Sequence, residues 1–201
     1  MKRSVIVLAA ACLSLGAMSV AQAKPPAVNA FLSFSDQYFS NNTTAGAPDA
    51  TVRINNPGST NGDLCAMIYV YDSNQEMNEC CGCLTTPDGL RTLSVKNDIN
   101  GNPLTIPLNT GTMKLISATV NGYPCDPTQN VVPSGQLNAW GTHVQNKVGT
   151  GFPITETGWD IEQLTPTAAA VSAELSSVVA DCYFTQRLGS GRGVCSCGSG
   201  D

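Results

Sequence analysis

Short runs of alternating apolar and polar residues cover most of this chain, a pattern typical of β-strands. The clearest run, residues 64–71, is apolar on both faces and is therefore predicted to lie inside a sandwich or under a helix. Turn residues such as Asn56-Pro57-Gly58 and Asn121-Gly122 separate these runs. The other segments predicted to be extended are residues 29–34, 50–55, 90–95, 113–120, 137–144 and 152–164.

One segment near the C-terminus has a helical period instead. Thr165 and Pro166 are residue types of a helix N-cap and a first helical position. The sequence predicts a helix over about 166–188, followed by a Gly- and Cys-containing tail over 189–201. The apolar residues that recur at the spacing of one helix face are Val171, Leu175, Val178 and Cys182.

Several short strands and one helix predict a mainly β fold. The expected architecture is an antiparallel β-sandwich, Ig-like or jelly-roll-like, with the C-terminal α-helix packed on it and a disulfide-tied tail. No internal repeat and no long linker are visible, so residues 24–201 are expected to form a single secreted β-rich domain.

The first 23 residues have the three parts of a secretory signal peptide. A short positive start precedes an uncharged apolar run over residues 5–20, and Ala21-Gln22-Ala23 has the pattern of a cleavage site. The run is too short and too rich in small residues for a comfortable bilayer span, so no transmembrane segment is expected in the mature chain. The alternatives are an uncleaved anchor and lipidation at Cys12. The predicted location is secreted: extracellular, periplasmic or at the cell surface.

The chain is acidic but sparsely charged, with a net charge of −5 and 12% charged residues. Nucleic acid and anionic membranes are not expected as partners, because binding to them depends on neutralising phosphates. Asn, Thr, Ser and Gly supply most of the polarity. That composition favours an extracellular β-rich protein.

Nine cysteines are present, and eight lie beyond the predicted leader. Neighbouring cysteines seldom bond to each other, so the cluster over 80–83 is expected to bond to the three cysteines nearest the C-terminus. This would attach the tail to the 80–83 loop and leave one further pair, although eight cysteines allow on the order of 100 connectivities. The eight are Cys65, Cys80, Cys81, Cys83, Cys125, Cys182, Cys195 and Cys197.

A thiolate metal site is the functional alternative for these cysteines, with zinc or cuprous copper as the ion. The spacing lacks the paired C-x2-C of structural zinc sites, and an exported chain meets oxidising conditions that remove thiolates. Disulfides are therefore the leading interpretation, and no metal or other cofactor is expected.

Candidate catalytic residues are few. His143 is the single histidine, and no serine lies in a G-x-S-x-G motif, so a Ser-His-Asp triad has little support. Two acids could serve glycoside hydrolysis, but nothing singles out a pair, and the chain is expected not to be an enzyme. The candidate acids are Glu76, Glu79, Glu156, Asp160 and Glu162.

Two tryptophans, Trp140 and Trp159, could form a flat platform for sugar rings. Trp159 lies between a glycine and an aspartate, which suits an exposed position. Burial in the core of a sandwich is the competing interpretation for both rings. The exposure of the two indoles distinguishes these alternatives.

The cysteine-rich segments resemble a group of exported cysteine-rich proteins of acidobacteria. The residues that carry the likeness are 64–72, 79–83, 93–95 and 193–198, which together span most of the mature chain. The resemblance implies export and a shared cysteine framework. It implies no activity and no site residues.

The predicted function is a secreted, disulfide-stabilised structural or adhesive protein at or outside the cell surface. Self-assembly is one expectation, with residues 24–34 as a segment that a neighbour's open strand edge could accept. Other surface proteins and glycans are the further candidate partners. A carbohydrate-binding module and a thiolate metal protein are the alternatives.

Overall fold

A computed structural model of the chain describes residues 33–100, 102, 109–122, 125–158, 168–189 and 193–200. The predicted signal peptide and the N-terminal arm up to residue 32 lie outside these residues. The described part contains nine strands and one helix. They are β1 Phe34–Ser40, β2 Thr51–Asn55, β3 Leu64–Asp72, β4 Met77–Thr85, β5 Leu90–Ser94, β6 Thr110–Ala118, β7 Asn138–Val144, β8 Ile154–Gly158, α1 Ala168–Leu188 and β9 Ser199–Gly200.

All nine strands belong to one sheet, in the order β4-β3-β6-β1-β7-β2-β5-β9, with β8 paired to β7. Neighbours are antiparallel except β1 and β7, which run parallel and meet at Ser40 and His143. The mainly β fold and its C-terminal helix are confirmed. The antiparallel sandwich is corrected, because one mixed sheet curls into a nearly closed barrel and its inner face supplies both sides of the core.

Strand β3 is buried on both faces, as its unbroken apolar run predicts. Its alternate side chains Ala66 and Ile68 join the barrel core. The intervening Met67 and Tyr69 join a second cluster on the outer face, under α1 and the segment around residue 125. β3 therefore separates two cores, because successive strand residues point to opposite faces.

Helix α1 covers the outer face of β4. Val178 and Cys182 are buried against the sheet, whereas Phe184 and Leu188 are exposed. The helix confirms the predicted one over its described residues; positions 166 and 167 lie outside them. Among the described residues, no helix combines the length and apolarity needed to cross a bilayer.

The C-terminal tail closes the barrel between its two edge strands. Cys80 of β4 donates its backbone N–H to Gly193, and Cys195 donates its own to Cys80. A few residues later, β9 pairs antiparallel with β5 at Arg91 and Thr92. The tail thus satisfies backbone groups that open edges would expose.

Three strands differ from the prediction. Of the segment 29–34, predicted to be extended, residues 29–32 lie outside the described residues, and β1 begins at Phe34 and extends to Ser40. The short strand β9 lies in the tail, where no strand was predicted. The region 80–83 was interpreted as a loop, yet it lies in the middle of the buried strand β4. β1 buries the polar residues Ser35 and Gln37, and β4 buries Asn78 and Glu79, which hides the pattern of both strands from the sequence.

Candidate functional site

The cysteine cluster of β4 divides between the two faces of the sheet. Strand alternation directs Cys80 to the outer cluster beneath α1 and directs Cys81 and Cys83 into the barrel core. The tail and the helix supply the bonding partners, with Cα–Cα distances of 5.2 to 5.8 Å. The four disulfides are Cys65–Cys125, Cys80–Cys182, Cys81–Cys195 and Cys83–Cys197, which join the groups that the sequence argument paired.

These bridges bear directly on the thiolate metal alternative. All eight cysteines beyond the predicted leader are bonded to another cysteine, so none presents a thiolate to an ion. In the part of the chain that the structure describes, no three or more His, Cys, Asp or Glu residues are grouped so that they could hold a metal ion.

The glycine inside the cysteine cluster, Gly82, lies where there is no room for a side chain. A Cβ at this position would overlap the backbone carbonyl of Cys125. The Cys65–Cys125 bridge holds this neighbouring segment against the sheet. The hydroxyl of Tyr69 also donates a hydrogen bond to the Pro127 carbonyl, at 3.0 Å. The outer layer over β3 and β4 therefore depends on a close backbone approach that only glycine permits.

The two tryptophans cannot be compared as a pair. Trp140 lies on β7, opposite Arg53 of β2, and is half-buried. Trp159 lies outside the described residues. A platform made of both rings therefore stays a prediction.

The described members of the predicted carboxylate set lie on different elements. Glu79 is fully buried in β4 and accepts a hydrogen bond from the backbone N–H of Asn102, at 2.6 Å. Glu156 on β8 forms an ion pair of 2.8 Å with Arg53. Glu76 lies at the β3–β4 turn. Asp160 and Glu162 lie outside the described residues.

A groove of about 450 Å³ lies between α1 and the sheet, and the sequence argument did not identify it. Its centre is Lys114 of β6, whose Nζ is 3.0 Å from Asp36 and 3.2 Å from Glu174. Burial lowers the pKa of Lys114, but Asp36 and then Glu174 raise it by more, so the pKa lies above its usual value. The ammonium therefore links β6, β1 and α1.

Tyr71 shares this groove with acidic neighbours. Burial raises the pKa of its phenol, and the charges of Asp181, Glu174 and Asp36 raise it further. The phenol therefore stays protonated to a higher pH than an ordinary tyrosine. Because Lys114 bridges Asp36 and Glu174, the groove is better suited to holding α1 on the sheet than to acid–base chemistry.

A second concave surface lies where the parallel strands β1 and β7 end. We call it the polar ledge; it is formed by residues 40–44 and 144–146 and encloses about 330 Å³. No charged side chain lines it. Its lining residues are Ser40, Asn41, Asn42, Thr43, Thr44, Val144, Gln145 and Asn146.

Hydrogen bonds between its two loops hold the polar ledge in shape. Asn42 Nδ2 donates to the backbone carbonyl of Gln145, at 3.0 Å, and to Asn146 Oδ1, at 3.2 Å. Asn41 is buried beneath the surface and donates to Asp49, at 2.7 Å. The side chains of Gln145 and Asn146 nonetheless remain exposed. The polar ledge is thus held in shape by hydrogen bonds among its own amides, and some of these amides also face solvent.

Tyr38 and His143 form an aromatic pair beside the polar ledge. Their ring centroids are 4.5 Å apart and their planes are tilted by 34°. His143 is nearly buried, whereas Tyr38 remains 49% exposed. Burial lowers the pKa of His143 from its ordinary value of 6.5. An exposed phenol ring thus lies next to an uncharged polar surface.

Sequence reasoning missed both the groove and the polar ledge. One signal for the ledge was present, since Asn41-Asn42-Thr43-Thr44 and Gln145-Asn146 are polar segments that flank apolar stretches. Their proximity depends on the parallel meeting of β1 and β7, which spacing along the chain does not reveal.

Comparisons of the chain with protein-family models, with curated proteins and with solved structures find no match in any of the three. The resemblance to exported acidobacterial proteins accordingly stays a prediction.

Proposed function

We propose that this chain is an exported, disulfide-cross-linked protein with a structural or adhesive role at or outside the cell surface. The observation that carries the proposal is the tail, which closes the barrel through backbone hydrogen bonds and through Cys195 and Cys197. A closure of this kind suits a protein that must stay folded where no cellular machinery repairs it.

The disulfides also support an oxidising location. Bridges of this number are typical of secreted, periplasmic and surface proteins and rare in the reducing cytosol. The signal-peptide pattern over residues 1–23 points the same way. We therefore place the mature chain outside the cytoplasm.

A non-enzymatic role fits the engagement of the reactive side chains. Lys114 forms ion pairs with Asp36 and Glu174, and Glu79 is fully buried. His143 packs against the ring of Tyr38. Among the described residues, these side chains contribute to the packing of the barrel and its helix.

Self-association is the form of adhesion that the helix surface favours. Phe184, Leu188 and Val194 are 61%, 72% and 46% exposed, near the point where the tail joins β4. Exposed apolar side chains near one another favour contact with another protein surface. Strand donation by residues 24–34 is now restricted, because Phe34 is already paired with Ile116 in the barrel wall.

Export and oxidation are tested on the full-length chain. It is expressed in a bacterial host, the cell fractions are separated, and the intact mass is measured before and after reduction. We expect a mature chain beginning at Lys24 outside the cytoplasm, which gains eight hydrogen atoms on reduction, two for each bridge. A cytoplasmic, unoxidised chain would contradict the proposal.

Self-association is tested by light scattering over a concentration series. Phe184→Ser should shift the protein toward the monomer, whereas Val148→Ser, at an equally exposed position on the β7–β8 turn, should not. If the parent protein stays monomeric throughout the series, self-association is excluded, and the proposed adhesion would involve other partners.

A further inference from the structure

We infer that the polar ledge, together with the exposed ring of Tyr38, is a binding site for neutral carbohydrate. The inference rests on the proposed function, because it identifies the chemical class that an extracellular adhesive protein would hold. It assigns the aromatic contact to Tyr38, whereas Trp140 and Trp159 were expected from the sequence to supply it.

The chemistry of the two partners is complementary. A neutral sugar presents hydroxyl groups that both donate and accept hydrogen bonds, together with an apolar face of C–H groups. Gln145 offers its amide oxygen as an acceptor, because its Nε2 already donates to Thr155. Asn146 offers its amide nitrogen as a donor, because its Oδ1 already accepts from Asn42. The hydroxyls of Thr43 and Thr44 each offer a donor and an acceptor. An aromatic ring supplies the flat apolar contact that the C–H face needs.

Geometry places the ring and the amides within reach of one ligand. Tyr38 and Ser40 are alternate residues of β1, so they share a face and lie about 7 Å apart. Ser40 lines the polar ledge, and its parallel partner His143 packs on Tyr38. A sugar chain that lies along this strand end would therefore meet the ring and the amides in succession.

The site is also prepared before any ligand arrives. Asn42 holds the two loops of the ledge together through Gln145 and Asn146, and Thr44 donates its backbone N–H to Asn42 Oδ1, at 2.9 Å. His143 fixes one side of the Tyr38 ring. Such order lowers the entropy that binding would otherwise lose.

Charge selects among glycans. None of the residues that line the ledge is ionisable, and the lowered pKa of His143 keeps its ring neutral at pH 7. Sulfated and acidic polysaccharides would find no cation here to pair with. Uncharged polysaccharides are therefore the class that this surface fits.

The experiment measures depletion of the purified, oxidised protein from solution by cellulose, chitin and xylan at pH 7, with dextran sulfate as the charged comparison. We expect at least one neutral polysaccharide to retain the protein and dextran sulfate not to retain it. Tyr38→Ala should weaken retention about tenfold, and Tyr38→Phe should preserve it because the ring remains. Asn146→Asp, which adds a charge to the ledge, should also weaken it.

A matched control is Tyr183→Ala, because Tyr183 is a similarly exposed tyrosine on α1, 45% exposed. Its retention should equal that of the parent, and circular dichroism melts should show every variant folded. Failure of all three neutral polysaccharides to retain the parent would overturn the inference. Retention that is unchanged in both Tyr38→Ala and Asn146→Asp would also overturn it. If only Trp140→Ala lost retention, the binding site would lie at that indole instead.

Failure here is distinguishable from failure of the proposed function. An oxidised and exported chain that binds no neutral polysaccharide overturns the carbohydrate site and leaves the proposed role standing. A reduced cytoplasmic chain overturns the proposed role, whatever the retention assay shows.

Discussion

The two sides of the barrel are held together by different means. One side, consisting of β3, β4, α1, the tail and the segment around residue 125, contains all eight cysteines beyond the predicted leader. The other side, consisting of β1, β2, β7 and β8, contains none. We call them the cross-linked side and the cysteine-free side.

The cysteine-free side depends on polar contacts between strands and loops. Thr51 donates its backbone N–H to the hydroxyl of Thr142, at 2.7 Å, and Asn41 accepts the N–H of Ala50, at 3.1 Å. Asn41 is also one of the residues that line the polar ledge. The comparison teaches that covalent links lie where a Gly-rich tail must be held, whereas hydrogen bonds suffice where apolar strands pack and a surface is displayed.

We expect the greatest loss of stability when the covalent closure of the cross-linked side is removed. Replacing Cys81 and Cys195 together by alanine removes a bridge across 114 residues and should lower the free energy of unfolding by about 2–4 kcal/mol. The backbone N–H groups at positions 80 and 195, which donate to the carbonyls of Gly193 and Cys80 at the closure, should exchange faster with deuterium. Urea unfolding and hydrogen exchange measure the two effects.

The comparison variant removes the outer bridge instead, by replacing Cys80 and Cys182 with alanine. It should loosen α1 more than the tail, and hydrogen exchange in the helix reports this. Equal exchange profiles in the two double variants would show that the two faces of β4 are not separate in the way described.

A smaller effect is expected from Gly82→Ala. The added methyl group would displace the backbone at Cys125, so the free energy of unfolding should fall by about 1–3 kcal/mol. Gly151→Ala is the matched control on the cysteine-free side, because a Cβ there meets nothing within 4 Å. Thermal melts compare the two variants, and a neutral Gly82→Ala would refute the close approach.

Lys114→Met tests how much the ion pairs in the groove beneath α1 contribute to stability. Because the carboxylates are partly exposed, we expect a loss of only about 1 kcal/mol at neutral pH. The folded-state pKa of Lys114 is raised, so its stabilisation is present below about pH 10.4 and is lost as the pH rises through the folded value.

Urea midpoints between pH 8 and 11.5 test this dependence. Burial raises the pKa of Tyr69 and Tyr71, so both phenols also destabilise the folded chain in alkali. The difference between the parent and Lys114→Met isolates the lysine. Parallel curves for the two proteins would show that the ammonium is not the source of the alkaline loss.

The smallest effect belongs to His143 on the cysteine-free side. Its lowered folded-state pKa means that the unfolded chain takes up the proton first, so stability is complete above about pH 6.5 and declines below it. His143→Gln should remove the part of the stability loss between pH 7.5 and 5 that is due to protonation of His143. Urea midpoints at the two pH values provide the measurement, and an unchanged pH slope in the variant would contradict it.

Some of the fold could be predicted because the residues concerned follow the simple rule of apolar inside and polar outside. The apolar run of β3 and the helical stripe that includes Val178 and Cys182 are both buried where their spacing predicts. The clustering of cysteines constrained their pairing, since near neighbours cannot bond to one another. The barrel closure could not be predicted in the same way, because it depends on which distant edges meet.

By itself the sequence determined the β-rich class, the C-terminal helix and the grouping of the bridged cysteines, because each depends on local spacing. The course of β1 could be seen only in the folded chain, because this strand buries the polar residues Ser35 and Gln37 and exposes the aromatic Tyr38. The tertiary structure alone also decided the parallel meeting of β1 and β7 that forms the polar ledge. The physical reason is that burial belongs to the assembled sheet, and a strand's own residues do not reveal which face the rest of the chain will cover.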